Sequence, residues 1–584
     1  MSAAASSPNF AHGYPTPGPQ ISSPQKVMDH VFFLSDTDWK RVREEEQFDY
    51  IIIGSGFCAL AFAERILAAR PQTRILMVER GPFFLPEHFQ NLPIPYQHTL
   101  GGFSETFPWT LSSKTANQPA GHIQWQHGMV PFFGGRSIMW SAWCPRPTRD
   151  ELAFWPEQTV AAAEARFATA EALLNVVPAD RIDTNPELLD YIATQRPTYG
   201  LMQTSLQTML DRNIGRIDSA TRWLPAPLAA GSGQTGGVDF AKFSTPAVIM
   251  ELALKQAGLA KAHPHAASPL RIVTNCVVTS IHQQDGVATA LDTSRGMVNV
   301  GQAKVILAMG TLPPTTLLLN SFPQVRRAGE RFTAHFITSV VARVPRQDFD
   351  FGAELGELEL AAIYLAGKNR KNDMQYHVQL SVLSDRDPVK NAQKAARCMP
   401  DVVATASPAQ LLSSEDHLVF VCAVLGEIDF RNPDNHFRRN DQADPTTNVT
   451  LQVLANENDR QTWDTMDEGT FQMMERVFAP QGRVEYWHGD PDTGHWSDKR
   501  PATKERRVGG LVHEGSTLWI GDGDSGVVGL DYRPNGVENV YVTGGALWPA
   551  GGSWNPTMTM VALAQHLADQ QLGQAPSPAA ASGA

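Results

Sequence analysis

The sequence predicts an α/β protein that combines a sheet of strands buried on both faces with a second, antiparallel sheet. Three observations carry that expectation. A strand, a glycine turn and a helix follow one another from Phe48; a second buried strand enters a small-residue turn at Met309-Gly310-Thr311; and between about 335 and 460 the chain turns rich in β-runs. Strands buried on both faces read as continuous apolar runs, whereas a sheet with one wetted face alternates polar with apolar.

The totals fit that picture. At 584 residues the chain exceeds the usual size of one domain, so two structural units are expected. Apolar residues at 42% and charged residues at 18% describe a globular chain rather than a disordered one. A formal net charge of −12 gives no basic footprint for nucleic acid or an anionic membrane surface, and no window approaches transmembrane length. No nucleic-acid or membrane partner is expected. Cys58, Cys144, Cys276, Cys398 and Cys422 are scattered without a CxxC pair, which argues against a disulfide framework or a zinc site, so no metal is expected. The opening MSAAASSPNFAHGYPTPGPQISSPQK lacks the basic and apolar regions of an export signal; residues 1–45 are expected to be a flexible lead, residues 576–584 a tail, and the location cytoplasmic.

Tyr50 to Ile53 form the first apolar run, and Ala61 to Ala69 is helix-friendly and free of glycine and proline. Between them Gly54 takes the sharp turn, Gly56 lets a pyrophosphate approach the backbone, and Ala59 allows close helix–strand packing. A second strand, Ile75 to Val78, ends in Glu79, placed where a ribose hydroxyl is held. A dinucleotide follows from this pattern, with FAD and NAD both open; the competing reading is an ordinary glycine turn with a solvated acid at the strand end. Gly134-Gly135-Arg136-Ser137 forms another turn whose backbone can approach an anion or a flavin edge. Trp155-Pro156 opens an alanine-rich helix, Gln158 to Leu174. RIVTNCVVTSI and the run Val305 to Ala308 are strands, the latter followed by Pro313-Pro314 and a leucine-rich helix, Thr315 to Leu319. HFITSVVARV, MQYHVQLSVL, HLVFVCAVLGEI and NVTLQVLAN supply the antiparallel sheet. Finally NVYVTGG is a strand entering a glycine turn, Asn555-Pro556 is a helix-start signal with asparagine as the cap, and Met558 to Leu572 continues as helix.

GSGFCA with Glu79, the GGRS turn, VILAMGTLPPTTLLLNS, GERFTAHF, VHEGSTLWIG and the terminal NVYVTGGALWPAGGSWNPTMTMVALAQHLAD, in that order, resemble the glucose-methanol-choline (GMC) oxidoreductases, closest to the pyranose oxidase and glycoside oxidase branch. The resemblance implies a Rossmann-like FAD-binding domain with an inserted substrate domain on an antiparallel sheet. The boundaries expected are 46–155, 266–334 and 505–575 for the FAD domain, and 156–265 and 335–504 for the helical and substrate parts. It also implies FAD contacts from Gly54, Gly56, Phe57, Cys58, Ala59, Glu79, Arg80, Gly134, Gly135, Ser137, Met139, Trp140, Val278, Ala308, Gly310, Gly545, Asn555, Pro556 and Thr557. Met139 stands where pyranose oxidases carry a flavin-linked histidine, so the flavin is expected to be noncovalent.

The catalytic pair implied is His513 with Asn555. A neutral imidazole accepts the hydroxyl proton while a hydride passes to flavin N5, and the carboxamide orients the same oxygen. The substrate implied is the C2 or C3 hydroxyl of a pyranose or glycoside, and the electron acceptor oxygen or a quinone-like compound. Another alcohol oxidase or dehydrogenase of the family, a lyase on the same scaffold, and a non-catalytic flavin protein are the rivals. His335 is expected to be architectural; His122, His127, His488 and His495, with Trp487, Trp496, Asp490, Asp492 and Arg500, are weaker candidates for the substrate pocket.

Overall fold

The structure is a computed structural model and describes residues 24–92, 108–118, 125–126, 129–182, 198–231, 240–400 and 406–573. Residues 1–23 of the expected lead, His122, His127 and the 576–584 tail lie outside the described residues.

Five strands form a parallel sheet in the order Val540–Val542, Lys304–Leu307, Tyr50–Ile53, Ile75–Val78 and Arg271–Val273. Ile51 lies between Val305 and Leu76, and Ile51 and Ile52 are fully buried, as an apolar run covered on both faces requires. The helices Phe57–Ala69 and Thr557–Leu572 pack on each other beside this sheet. Asp569, buried near the end of the second, accepts from Arg65 Nε at 2.7 Å and Arg166 Nε at 2.5 Å.

A larger sheet runs His495–Ser497, Glu485–His488, Thr333–Pro345, His417–Glu427, Gln375–Asp385, Leu358–Lys368 and Ala220–Pro225, with Arg507–Gly515 paired to the start of Thr333–Pro345. Its pairings within that path are antiparallel. Successive side chains point to opposite faces. Phe336, Val340, Ala342 and Val344 therefore enter a core with Trp463 and Met466 of the helix Glu457–Gln472, while His335, Ile337 and Ser339 occupy the other face.

Several elements differ from expectation for identifiable reasons. Residues 24–45 form two helices, Pro24–Val31 and Asp36–Glu45, not a flexible lead; Trp39 and Val42 are one helical turn apart and both buried. The expected helix Gln158 to Leu174 is two, Glu157–Glu164 and Phe167–Leu174, broken where Arg166 turns inward to Asp569. The leucine-rich helix spans Leu312–Ser321, its prolines lying in the first turn, where their missing N–H groups cost nothing. NVTLQVLAN contributes Val449–Gln452 to a separate three-stranded sheet with His436–Arg439 and Thr110–Leu111. Leu358–Lys368, buried along ten of its residues, was hidden because it does not alternate.

Candidate active site

A cavity of about 760 Å³ is lined by residues of both large sheets. On the parallel side it begins at Gly54, whose φ of +104° lies in the left-handed region; a Cβ there would stand 2.5 Å from the Ala308 carbonyl oxygen. Only glycine lets these strand ends close. The Ser55 hydroxyl donates to Glu79 Oε2 at 2.6 Å and accepts from the Gly134 N–H at 2.8 Å, so one side chain joins two glycine turns to the acid. Gly81 N–H donates to the other carboxylate oxygen of Glu79 at 2.9 Å. Burial raises the Glu79 pKa, and those two donors oppose the rise.

The backbone here forms a cradle. A Cβ on Gly56 or Gly135 would meet only the facing turn, at 3.8 Å, and one on Gly310, at φ +82°, would meet nothing within 4 Å. The helix Phe57–Ala69 begins at this cradle with no side-chain cap on its first turn, a suitable place for a phosphate. With Glu79 beyond it, the donor set fits a dinucleotide such as FAD.

Of the residues expected to hold the cofactor, Gly54, Gly56, Phe57, Cys58, Glu79, Arg80, Gly135, Met139, Trp140, Val278, Ala308, Gly310, Asn555, Pro556 and Thr557 line this cavity. Ala59, Gly134, Ser137 and Gly545 sit behind the lining. Ser137 is buried, donating to the Gly134 carbonyl at 2.7 Å and meeting the Thr245 hydroxyl at 2.9 Å. Ala59 is fully buried in the helix–sheet packing.

His513 and Asn555 also line the cavity. His513 reaches it through a β-bulge. Thr333 pairs with Gly515 and His335 with Val512, so His513 and Glu514 together oppose Ala334, and His513 has φ +63°. A bulge of this kind re-aims a side chain, and left-handed backbone at a non-glycine residue costs on the order of 1–3 kcal/mol, which neighbouring contacts must outweigh. Those contacts are visible. Arg136 of the GGRS turn donates twice to the Glu514 carboxylate, at 2.7 and 2.9 Å, and the Thr311 hydroxyl donates to the Glu514 carbonyl at 2.7 Å.

The His513 ring meets His335, Nδ1 to Nδ1 at 2.9 Å, and His335 Nε2 lies 2.8 Å from the Gly552 carbonyl oxygen. Burial pushes the His335 pKa down to about 4. Asn555 is buried, and its Oδ1 has no hydrogen-bond partner; the helix starting at Thr557 is preceded by Pro556 and makes no side-chain cap bond. The expected capping role of Asn555 is therefore corrected.

Sequence reasoning missed the antiparallel wall. Ile337, Ser339, Gln379, Ala423 and Leu425 line the cavity from three adjacent strands, and Arg136 and Glu514 line it as an ion pair. The alternation of HFITSVV held the only signal, since residues 335, 337 and 339 share a face. Trp487, Trp496, His488, His495, Asp490, Asp492 and Arg500 lie outside this lining; Arg500 is occupied with Glu475 and Glu468.

Residues 431–564, which include His513, Glu514 and Asn555, match the family model described as GMC oxidoreductase. That match supports membership of the GMC family. The match supports an FAD-dependent oxidoreductase acting on CH–OH groups. No curated protein matches the chain. No helix among the described residues is long and apolar enough to cross a membrane.

Proposed function

We propose that the protein oxidises a secondary alcohol, at the C2 or C3 hydroxyl of a pyranose or glycoside, to a ketone. The observation that carries this reading is a single cavity lined at once by Gly54, Gly56 and Glu79, by His513 and Asn555, and by the Ser339 and Gln379 side of the antiparallel sheet. FAD, when bound, supplies the two-electron sink. Gly54, Gly56 and the first turn of Phe57–Ala69 would hold its pyrophosphate and Glu79 a ribose, and the start of Thr557–Leu572, which also lines the cavity, would favour negative charge on the bound group. Met139, a thioether on the lining, favours noncovalent attachment.

His513 takes the hydroxyl proton and Asn555 orients the same oxygen by donating to it. Polar Ser339 and Gln379 on an otherwise apolar wall of Ile337, Ala423 and Leu425 suit a ligand with several hydroxyls and a C–H face. In this reading the parallel sheet is the core of a discontinuous Rossmann-like FAD domain drawn from 46–155, 266–334 and 505–575, which lends the strand Arg507–Gly515 to the antiparallel sheet of the substrate domain. Resemblance to the pyranose oxidase branch supports the sugar, and oxygen or a quinone-like compound is the acceptor.

Anaerobic titration with monosaccharides and glycosides tests this. At least one pyranose or glycoside should bleach the oxidised flavin absorbance, and His513→Ala should slow bleaching by about 10²–10⁴-fold. A flavin that no alcohol reduces, or an unchanged rate in the variant, would sink the reading.

A further inference from the structure

We infer that His335 is a positioning residue that selects the protonation tautomer of His513; the inference deepens the function proposed above and rests on His513 being its base. The Gly552 carbonyl can only accept, so His335 Nε2, 2.8 Å away, carries the hydrogen. In a neutral ring Nδ1 is then the acceptor. His513 Nδ1, 2.9 Å from it, must donate. That assigns the lone pair of neutral His513 to Nε2, the ring atom remote from His335.

The surroundings keep this chain of donors in one sense. His335 is 2% exposed, and burial holds its pKa near 4, so it stays neutral and cannot present a second N–H to His513. The rings of His335 and His513 are nearly perpendicular, at 88° with centroids 4.9 Å apart, and their two Nδ1 atoms form the polar contact between them. His377 closes the other side of His335, with centroids 6.0 Å apart, and burial holds it well below the usual histidine range as well. The anchor itself belongs to the Gly551-Gly552 turn just before Asn555, so the base and its amide partner share a support. Loss of a proton-accepting tautomer is costly where a base must act; an orienting partner changed so that the wrong nitrogen is protonated lowers turnover by up to about 10⁴-fold.

The test uses the FAD-loaded enzyme labelled with 15N-histidine, with the His513 signals assigned by comparison with His513→Asn. Near neutral pH the expected pattern is a protonated Nδ1 and an unprotonated Nε2. His335→Leu should lose this pattern and slow anaerobic flavin reduction by on the order of 10²-fold, whereas His335→Asn, whose amide can still accept from His513, should retain the pattern and most of the rate. A wild-type His513 protonated on Nε2 alone overturns the inference, as does a His335→Leu variant with unchanged tautomer and rate. Should His335→Leu not fold, the wild-type spectrum still decides. Should no alcohol reduce the wild-type flavin, the function proposed above fails while the tautomer remains readable.

Discussion

Asn555 stands where a helix cap is expected, yet its side-chain oxygen is buried without a partner and the helix behind it is uncapped. An unsatisfied buried acceptor costs about 1–3 kcal/mol, so a residue kept for stability alone is poorly chosen here. Asn555→Ala should leave the melting temperature unchanged or higher while slowing flavin reduction by about 10²-fold; thermal melts alongside stopped-flow reduction separate the two. A lower melting temperature with a normal rate would return Asn555 to a structural role. His513 and Asn555 were legible because each sits in a local segment, HEGST or WNPT, whose order along the chain carries the family pattern. Ser339 and Gln379 were not, since a strand residue that faces a cavity looks like one that faces solvent until the layer above it is known.

At the scale of the element, the bulge that presents His513 depends on a pair made across 378 residues of chain. Glu514 is 2% exposed at its side chain, whereas the Arg136 guanidinium, at 42%, opens onto the cavity. Removing the partner of a buried charge costs about 3–5 kcal/mol, more than a buried pair contributes over an apolar replacement. Arg136→Met should therefore lower the melting temperature and loosen flavin retention, and adding Glu514→Gln should recover part of both. Equal losses in the single and double variants would show that the buried charge is not the cause. Neither half of this pair was paired from the sequence, because spacing informs only neighbours on one helix or strand. The split of the alanine-rich helix falls at Arg166, whose partner Asp569 lies at the far end of the chain.

For the whole molecule, two buried titrations oppose each other. Burial holds His335 near 4, below the ordinary 6.5, so its contribution is complete above 6.5 and is lost as pH falls through about 4. Burial pushes Glu427 up to about 8 and Asp459 up to about 7, in a cluster with Asp429 fed by the N–H groups of Gln375, Asp429 and Asn456. A raised carboxyl contributes fully below its ordinary value of 4.5 and loses that contribution as pH rises through 8. Of these two, only the acidic cluster changes between pH 6.5 and 8, by about 2 kcal/mol for Glu427. The melting temperature should fall over that window, and Glu427→Gln should flatten the fall; identical slopes would remove Glu427 as its cause.

By itself the sequence determined the parallel strands, the glycine turns and the acid after the second strand, because these obey rules that act within a few residues: apolar runs, left-handed turns and helix starts. The tertiary structure alone decided that His513 leaves its strand through a bulge, that Arg136 meets Glu514, that His335 stands between His513 and the Gly552 carbonyl, and which strand faces line the cavity. Each of these is a contact between distant segments, and a hydrogen bond or ion pair exists only once folding has brought both partners within about 3 Å of each other.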